Sequence, residues 1–282
     1  MIARVVGFGR QLVFAHTVGS YCLGTAYTTA NQVPNIIYDI VLGGALTSAV
    51  VPVLAGAATR RAALGTAPAA GAAEGADAEA SGIASALLTW TVLLLLPVSA
   101  VLAIAAHPII AALLTGAVGC PHGALTGVGA RMLIVFAPQV LLYGLAVVLY
   151  GILQSHRRFA APALAPLLSS LVVIGAYAAF GALGGGYVNR LGELPAQAEY
   201  ALSGGTTLGV LGLAATVVIP AWRLGLGIRP TLRFPPGIGP RVRRLALAGV
   251  AALVAQDASV AVVIVLANHY GATGALVIYG FA

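Results

Sequence analysis

The sequence predicts an all-α protein, a polytopic bundle of transmembrane helices, and composition, run length and charge distribution all support it. Of the 282 residues, 60% are hydrophobic and only 7% are charged, whereas soluble domains carry about 25% charged residues. The mean hydropathy is +1.00. The apolar residues come in runs of about 20 or more, the length that a helix needs to cross ~30 Å of hydrocarbon. They do not alternate with polar residues as in a half-buried strand.

Eight apolar segments follow one another along the chain, and we expect about eight membrane spans. The first, residues 1–18, is short for a crossing, and the eighth begins near Gly271, so we expect both to be incomplete. The second, residues 22–56, contains Pro34, which loosens a helix, and we expect one long, bent helix there. The other five segments are residues 83–106, 127–151, 162–183, 201–222 and 245–267. Residues 57–82 are rich in Ala and Gly and hold three of the seven acidic residues, so we expect a flexible loop.

The basic residues, all of them Arg, are distributed unevenly between the two sides of the predicted membrane. With the N-terminus in the cytoplasm, only Arg131 and Arg190 fall outside and Arg10 lies within the first span. The other eleven fall on the cytoplasmic side: Arg4, Arg60, Arg61, Arg157, Arg158, Arg223, Arg229, Arg233, Arg241, Arg243 and Arg244. This asymmetry predicts a multi-pass protein of the cytoplasmic membrane with a cytoplasmic N-terminus. It also argues against nucleic-acid binding, since the basic clusters lie where topology alone requires them.

No pattern typical of an enzyme is present in the sequence. The five histidines are scattered, and the sequence has no His/Cys cluster with metal-ligand spacing, no phosphate-binding loop and no paired carboxylates on one helical face. We therefore expect no catalytic residues, no metal site and no cofactor.

The candidate functional residues are polar groups predicted at membrane depth, where a central Arg or Asp costs about 2.5 to 3.5 kcal/mol. Arg10 and Asp257 are the clearest, and Arg4 is weaker because it could be a topology anchor. Arg4 and Arg10 are separated by about 9 Å along the helix axis and by roughly 120° around it, so they could hold an anion such as a pyrophosphate from one wall of a cavity. Asp257, next to Gln256, is either a structural partner for a polar group or a cation or proton site.

The two cysteines, Cys22 and Cys120, both fall on the predicted outer, oxidising side. They are either bonded to each other or two free thiols. Spacing cannot decide, because a disulfide needs Cα atoms within about 7 Å.

Three segments carry a family resemblance. They are ARVVGFGRQLVFAHTVG at 3–19, QVPNIIYDIVLGGALTSAVVPVL at 32–54 and QSHRRFAAPALAPLLSS at 154–170. In order, position and orientation they resemble the MurJ/MviN family of lipid II flippases, a branch of the multidrug/oligosaccharidyl-lipid/polysaccharide exporter superfamily. The Leu-Gly-Gly-Ala-Leu part of the second segment resembles actinobacterial members.

The resemblance implies a two-lobed, fourteen-helix transporter that moves lipid II across the membrane by alternating access for cell-wall synthesis. This chain would be its N-terminal part: residues 1–223 as the first lobe (helices 1 to 6), 224–244 as a cytoplasmic connection, and 245–282 as the start of the second lobe. With one lobe nearly complete, we expect no translocation by these residues alone. The implied partners are lipid II or a similar undecaprenyl-pyrophosphate-linked precursor, membrane lipids, a monovalent cation or proton, and cell-wall synthesis proteins.

Some family positions match and others depart. Arg4 and Arg10 fall on the arginines that line the family's cavity from the first helix, and Asp257 falls on a helix-7 position associated with a coupling cation. Tyr38 and Asp39 stand where many members carry paired Arg, and Thr25 stands where an acid is common, which removes part of the expected anion site. Two alternatives remain at this point: an exporter of another lipid-linked oligosaccharide or of a drug, and a membrane scaffold for cell-wall assembly without transport.

Overall fold

The computed structural model describes residues 2–40, 70–115, 119–225, 229–234, 238–271 and 273–280, and these residues form helices and connecting turns without a strand. The all-α prediction is confirmed for them. The helices are α1 (Ile2–Thr17), α2 (Cys22–Asp39), α3 (Ala70–Ile104), α4 (Ala106–Leu113), α5 (His122–Phe136), α6 (Pro138–Ser155), α7 (Ala160–Gly184), α8 (Ala196–Trp222), α9 (Ile238–Tyr270) and α10 (Ala275–Tyr279). Two short 3-10 turns, Gly185–Tyr187 and Leu191–Glu193, connect α7 to α8.

Four described helical segments are long and apolar enough to cross a membrane: Ser81–Ile104, His122–Ser155, Ala160–Tyr187 and Ala196–Trp222. They coincide with the third to sixth predicted spans. Their outer faces expose large apolar side chains such as Leu94, Val101 and Leu208, as expected where lipid is the solvent. The total of eight spans stays a prediction, and residues 41–56 of the second lie outside the described residues.

The predicted loop over residues 57–82 is wrong from residue 70 onward, because α3 begins at Ala70. The segment AGAAEGADAEAS has abundant Ala, the strongest helix former, and it leads directly into an apolar helix. Extending an existing helix avoids the cost of nucleating a new one. Residues 57–69 lie outside the described residues.

The predicted span at 127–151 consists of two helices, α5 and α6, that meet at Ala137 and Pro138. Proline lacks an amide hydrogen and is tolerated at the first position of a helix. Ser99 of α3 donates a buried hydrogen bond of 2.8 Å to the Ala137 carbonyl at this junction. The contact ties α3 to the break in the neighbouring helix pair.

Small residues bring α7 and α8 into close contact. A Cβ atom at Gly205 would collide with Ala176, and one at Gly209 would collide with Val173. Such backbone proximity is typical of membrane helices, whose association depends on van der Waals packing because lipid is as apolar as the side chains.

Polar side chains inside the bundle pair with one another across helices. Gln139 of α6 donates to the Thr207 hydroxyl of α8 (2.8 Å), which donates to the Val135 carbonyl of α5 (2.9 Å). Arg131 of α5 donates two hydrogen bonds to the Glu199 carboxylate of α8, from Nε to Oε1 at 2.9 Å and from Nη2 to Oε2 at 2.7 Å. Glu199 is only 6% exposed, so this carboxylate depends on Arg131 for its solvation.

One end of the bundle is closed by a disulfide. Cys22, at the start of α2, is bonded to Cys120 with the Cα atoms 5.7 Å apart, so the bonded alternative is the one found. At the same end the Leu23 amide donates to the Val188 carbonyl (2.9 Å) and the Cys22 amide to Asn189 Oδ1 (3.3 Å). The disulfide thus holds α2 against the segment that precedes α5.

The chain segments after residue 238 pack on α2 near that end. Asn268 of α9, which is buried, donates from Nδ2 to Thr29 Oγ1 (3.1 Å) and to the Leu113 carbonyl (3.0 Å). The Gly274 amide donates to Thr25 Oγ1 (3.2 Å). Gly274 has a positive φ of 79° and lies against the Ser20 backbone, where a side chain would collide. Thr25, the departure from the family pattern, therefore acts as a hydrogen-bond acceptor for α10.

We expect Arg131→Ala to destabilise the bundle, because it leaves the Glu199 carboxylate buried without its partner, at a cost of about 1 to 3 kcal/mol. The measurement is thermal unfolding in detergent. The matched control is Arg190→Ala, which removes the exposed Arg190–Glu193 pair, whose side chains are 62% and 65% exposed. That change should cost no more than about 1 kcal/mol, and equal effects of the two variants would contradict the role given to Arg131.

We expect denatured protein to react with a thiol reagent only after reduction, because both cysteines are in one disulfide. Mass spectrometry of the alkylated chain should count no labels without reductant and two with it. Cys22→Ser is the control and should give one label under both conditions. Two labels on unreduced wild type would exclude the bond.

Candidate functional site

A cleft of about 120 Å³ lies where α1, α2, α7 and α10 meet. Its lining residues come from all four helices and the residue after α10: Arg10, Gln11, Phe14, Tyr27, Thr28, Asn31, Gln32, Tyr177, Val277 and Gly280. Arginine is the only charged residue type in this set.

The position of Arg10 follows from the packing of α1. Phe14, one helical turn later on the same face, is buried against the rings of Tyr27 (5.3 Å between centroids) and Tyr177 (5.1 Å). This anchored ring directs the preceding turn toward the cleft. The Arg10 side chain is half-buried and makes no hydrogen bond or ion pair with any residue that the structure describes. The rings of Tyr27 and Tyr177 line the same cleft.

The side chains of Tyr27 and Tyr177 line the cleft and are held in place by hydrogen bonds. The Tyr27 hydroxyl lies 2.9 Å from the Tyr177 hydroxyl and 2.9 Å from Thr206 Oγ1. Thr206 donates in turn to the Leu202 carbonyl at 2.8 Å. These hydroxyl groups therefore satisfy one another inside the protein, and the polar groups above them are the ones left for a ligand.

Three carboxamides stand beside Arg10 along the cleft. Asn31 and Gln32 of α2 are half-buried and Gln11 of α1 is exposed. Within the described part of the chain, none of these side chains has a hydrogen-bond partner. Each carboxamide offers two donors and an acceptor. Charge and motif patterns in the sequence do not indicate these amides, and the polar stretch TTANQ within an apolar segment is the one signal of them.

The structure separates the two predicted cavity arginines. Arg10 lines the cleft, whereas Arg4 is exposed and is not among the lining residues. The Tyr38 ring packs against the Tyr143 ring at an interplanar angle of 38°, with the centroids 4.4 Å apart.

Asp257 of α9 is 5% exposed, and its Oδ2 atom has no hydrogen-bond partner among the described residues. Asp39, at the end of α2, is exposed. The described residues contain no group of three or more His, Cys, Asp or Glu that could hold a metal ion. The side chain of Gln256, the other candidate, lies outside the described residues.

Comparison with known proteins gives two results. The family described as lipid II flippase MurJ matches residues 14–282. A solved structure described as "Lipid II flippase MurJ, inward closed conformation" is similar with a TM-score of 0.64 and 19% sequence identity, over 96% of this chain and 50% of that chain. This chain therefore spans about half the length of that flippase and shares its fold over that half.

Proposed function

Because the chain belongs to the MurJ family of lipid II flippases, we propose that it takes part in moving lipid II across the cytoplasmic membrane for cell-wall synthesis. The transport involves no covalent chemistry. Membership of this family favours lipid II over another lipid-linked oligosaccharide or a drug. The Arg10 guanidinium, which lines a cleft without an ion-pair partner among the described residues, favours transport over a scaffold role.

The main support is the state of Arg10. A guanidinium is always charged and offers a rigid fork of donors that suits phosphate oxygens. At membrane depth it requires an anion or water, and no described residue of the protein supplies the anion. We assign Arg10 to the pyrophosphate of the lipid substrate.

The cleft lies between helices of the first lobe and α10, which belongs to the proposed second lobe beginning at residue 245. Alternating access moves two such units about a central site. The Asn268–Thr29 and Gly274–Thr25 bonds join the units on the side of the disulfide. We assign these bonds to the closed outer end of the protein. They would break as the two units separate there and the site opens outward.

Two independent features support the orientation. Disulfides persist on the oxidising side of a membrane, so the Cys22–Cys120 bond supports an outer position for that end of the bundle. Since α1 runs toward that end, the bond also supports a cytoplasmic start of α1. The distribution of arginines between predicted loops gives the same orientation.

We expect Arg10→Ala in the intact protein to abolish rescue of flippase-depleted cells, because a lost charge-assisted contact of about 1.5 to 3 kcal/mol weakens substrate binding roughly 10- to 100-fold. Arg10→Lys should retain part of the function, since a point charge cannot reproduce bidentate contacts. The readout is growth, with an immunoblot of the membrane fraction for protein level.

The matched control is Arg4→Ala on the same helix, which should be milder because Arg4 is exposed and outside the cleft. Normal growth with Arg10→Ala would remove this residue from the site. Loss of the protein from the membrane would reassign it to folding.

Asp257 is our candidate for coupling to a monovalent cation or a proton. A buried carboxylate oxygen without a hydrogen-bond partner is stabilised by a cation or by protonation. We expect Asp257→Asn in the intact protein to change the dependence of transport on Na⁺ or on the proton gradient while leaving substrate binding within about threefold, a difference of ~0.7 kcal/mol. Transport in vesicles with imposed ion gradients measures this. An unchanged ion dependence would leave Asp257 with a structural role.

A further inference from the structure

The carboxamides beside Arg10 indicate which part of the substrate the cleft holds. We propose that Asn31 and Gln32, with Gln11 at the edge, bind the sugar attached to the pyrophosphate of the lipid while Arg10 holds a phosphate. This inference rests on the proposed function and deepens it, because it assigns specificity for a glycosylated lipid to residues outside the arginine site.

The geometry supports contact with a ligand. Asn31 lies one helical turn after Tyr27, and Tyr27 and Phe14 are locked by packing, so the amides project from a rigid wall. Asn31 and Gln32 are half-buried, yet neither hydrogen-bonds with another residue in the part of the chain that the structure describes. Half-buried amides left unpaired are costly unless water or a ligand satisfies them.

The chemistry of the lining distinguishes among the parts of a lipid-linked precursor. Carboxamides donate and accept hydrogen bonds, as do the hydroxyl and acetamido groups of an amino sugar. A lipid tail would leave these amides unpaired. The amino group of a peptide would call for an acidic partner, and no Asp or Glu is among the lining residues.

The volume of the cleft is consistent with binding of only the phosphate and the first sugar. Its volume is about 120 Å³, whereas pockets for drug-sized ligands measure about 300 to 1,000 Å³. The cleft therefore takes the junction between phosphate and first sugar, and the remainder of the head group lies outside it.

The test compares two lipids that share the tail and pyrophosphate: lipid II and undecaprenyl pyrophosphate, which has no sugar. Binding of each to the purified protein in nanodiscs is measured for wild type, Arg10→Met and the double variant Asn31→Leu with Gln32→Met, which keeps side-chain size. The double variant should lose about tenfold or more in affinity for lipid II, a difference of ~1.4 kcal/mol, with undecaprenyl pyrophosphate unaffected. Arg10→Met should weaken both lipids.

Gln154→Met is the matched control, because Gln154 is an exposed carboxamide outside the cleft, and it should bind both lipids as wild type does. The single variants Asn31→Ala and Gln32→Met should each lose part of the affinity for lipid II, and they provide the test if the double variant does not fold.

Unchanged affinity of the double variant for lipid II, or an equal loss of affinity for both lipids, would overturn the sugar assignment. The proposed function would still stand if Arg10→Met weakens the binding of both lipids. Wild type that binds neither lipid would overturn both proposals.

Discussion

The structure depends on one constraint: a polar group inside an apolar helix bundle has no water to bond with and must find a partner in the protein or in a ligand. The partners that the bundle supplies connect its helices. The Arg131–Glu199 pair joins α5 to α8, the Gln139–Thr207 bond joins α6 to α8, and the Tyr27, Tyr177 and Thr206 hydroxyls join α2, α7 and α8. Each bond fixes the rotation of two helices about their axes, so satisfying polar groups also determines how the helices pack.

The same constraint makes unsatisfied groups informative. Among the described residues, the side chains of Arg10 and of the carboxamides that line the same cleft have no hydrogen-bond partner. The Oδ2 atom of Asp257 is buried without a partner, as are Oε1 of Gln139 and the Tyr150 hydroxyl, which lie outside the cleft. Apolar side chains at these positions would need no hydrogen-bond partner and would carry no electrostatic cost. The cost of Arg10, the carboxamides and Asp257 at membrane depth is consistent with a role in binding anions, sugars or cations that arrive from outside the protein.

Helix α2 is the element on which these features converge. Its first turn carries the disulfide and the bond from Gly274 to Thr25, and its middle carries Tyr27, the bond from Asn268 of α9 to Thr29, and the cleft amides. A movement of α9 and α10 away from α2 would therefore open one end of the bundle and change the surroundings of both the cleft and Asp257.

The sequence by itself determined the fold class, four of the spans and the family, because run length, charge content and local motifs are properties of short segments that need no knowledge of packing. It also indicated Arg10 as a candidate, since an arginine inside an apolar run is costly wherever the run packs. Only the tertiary structure decided that Arg4 is outside the cleft, that Cys22 is bonded to Cys120, that residues 70–82 extend a helix, and that the amides of α2 stand beside Arg10. These outcomes depend on which faces of separate helices meet, and that is set by close packing and by polar pairing between residues far apart in the chain.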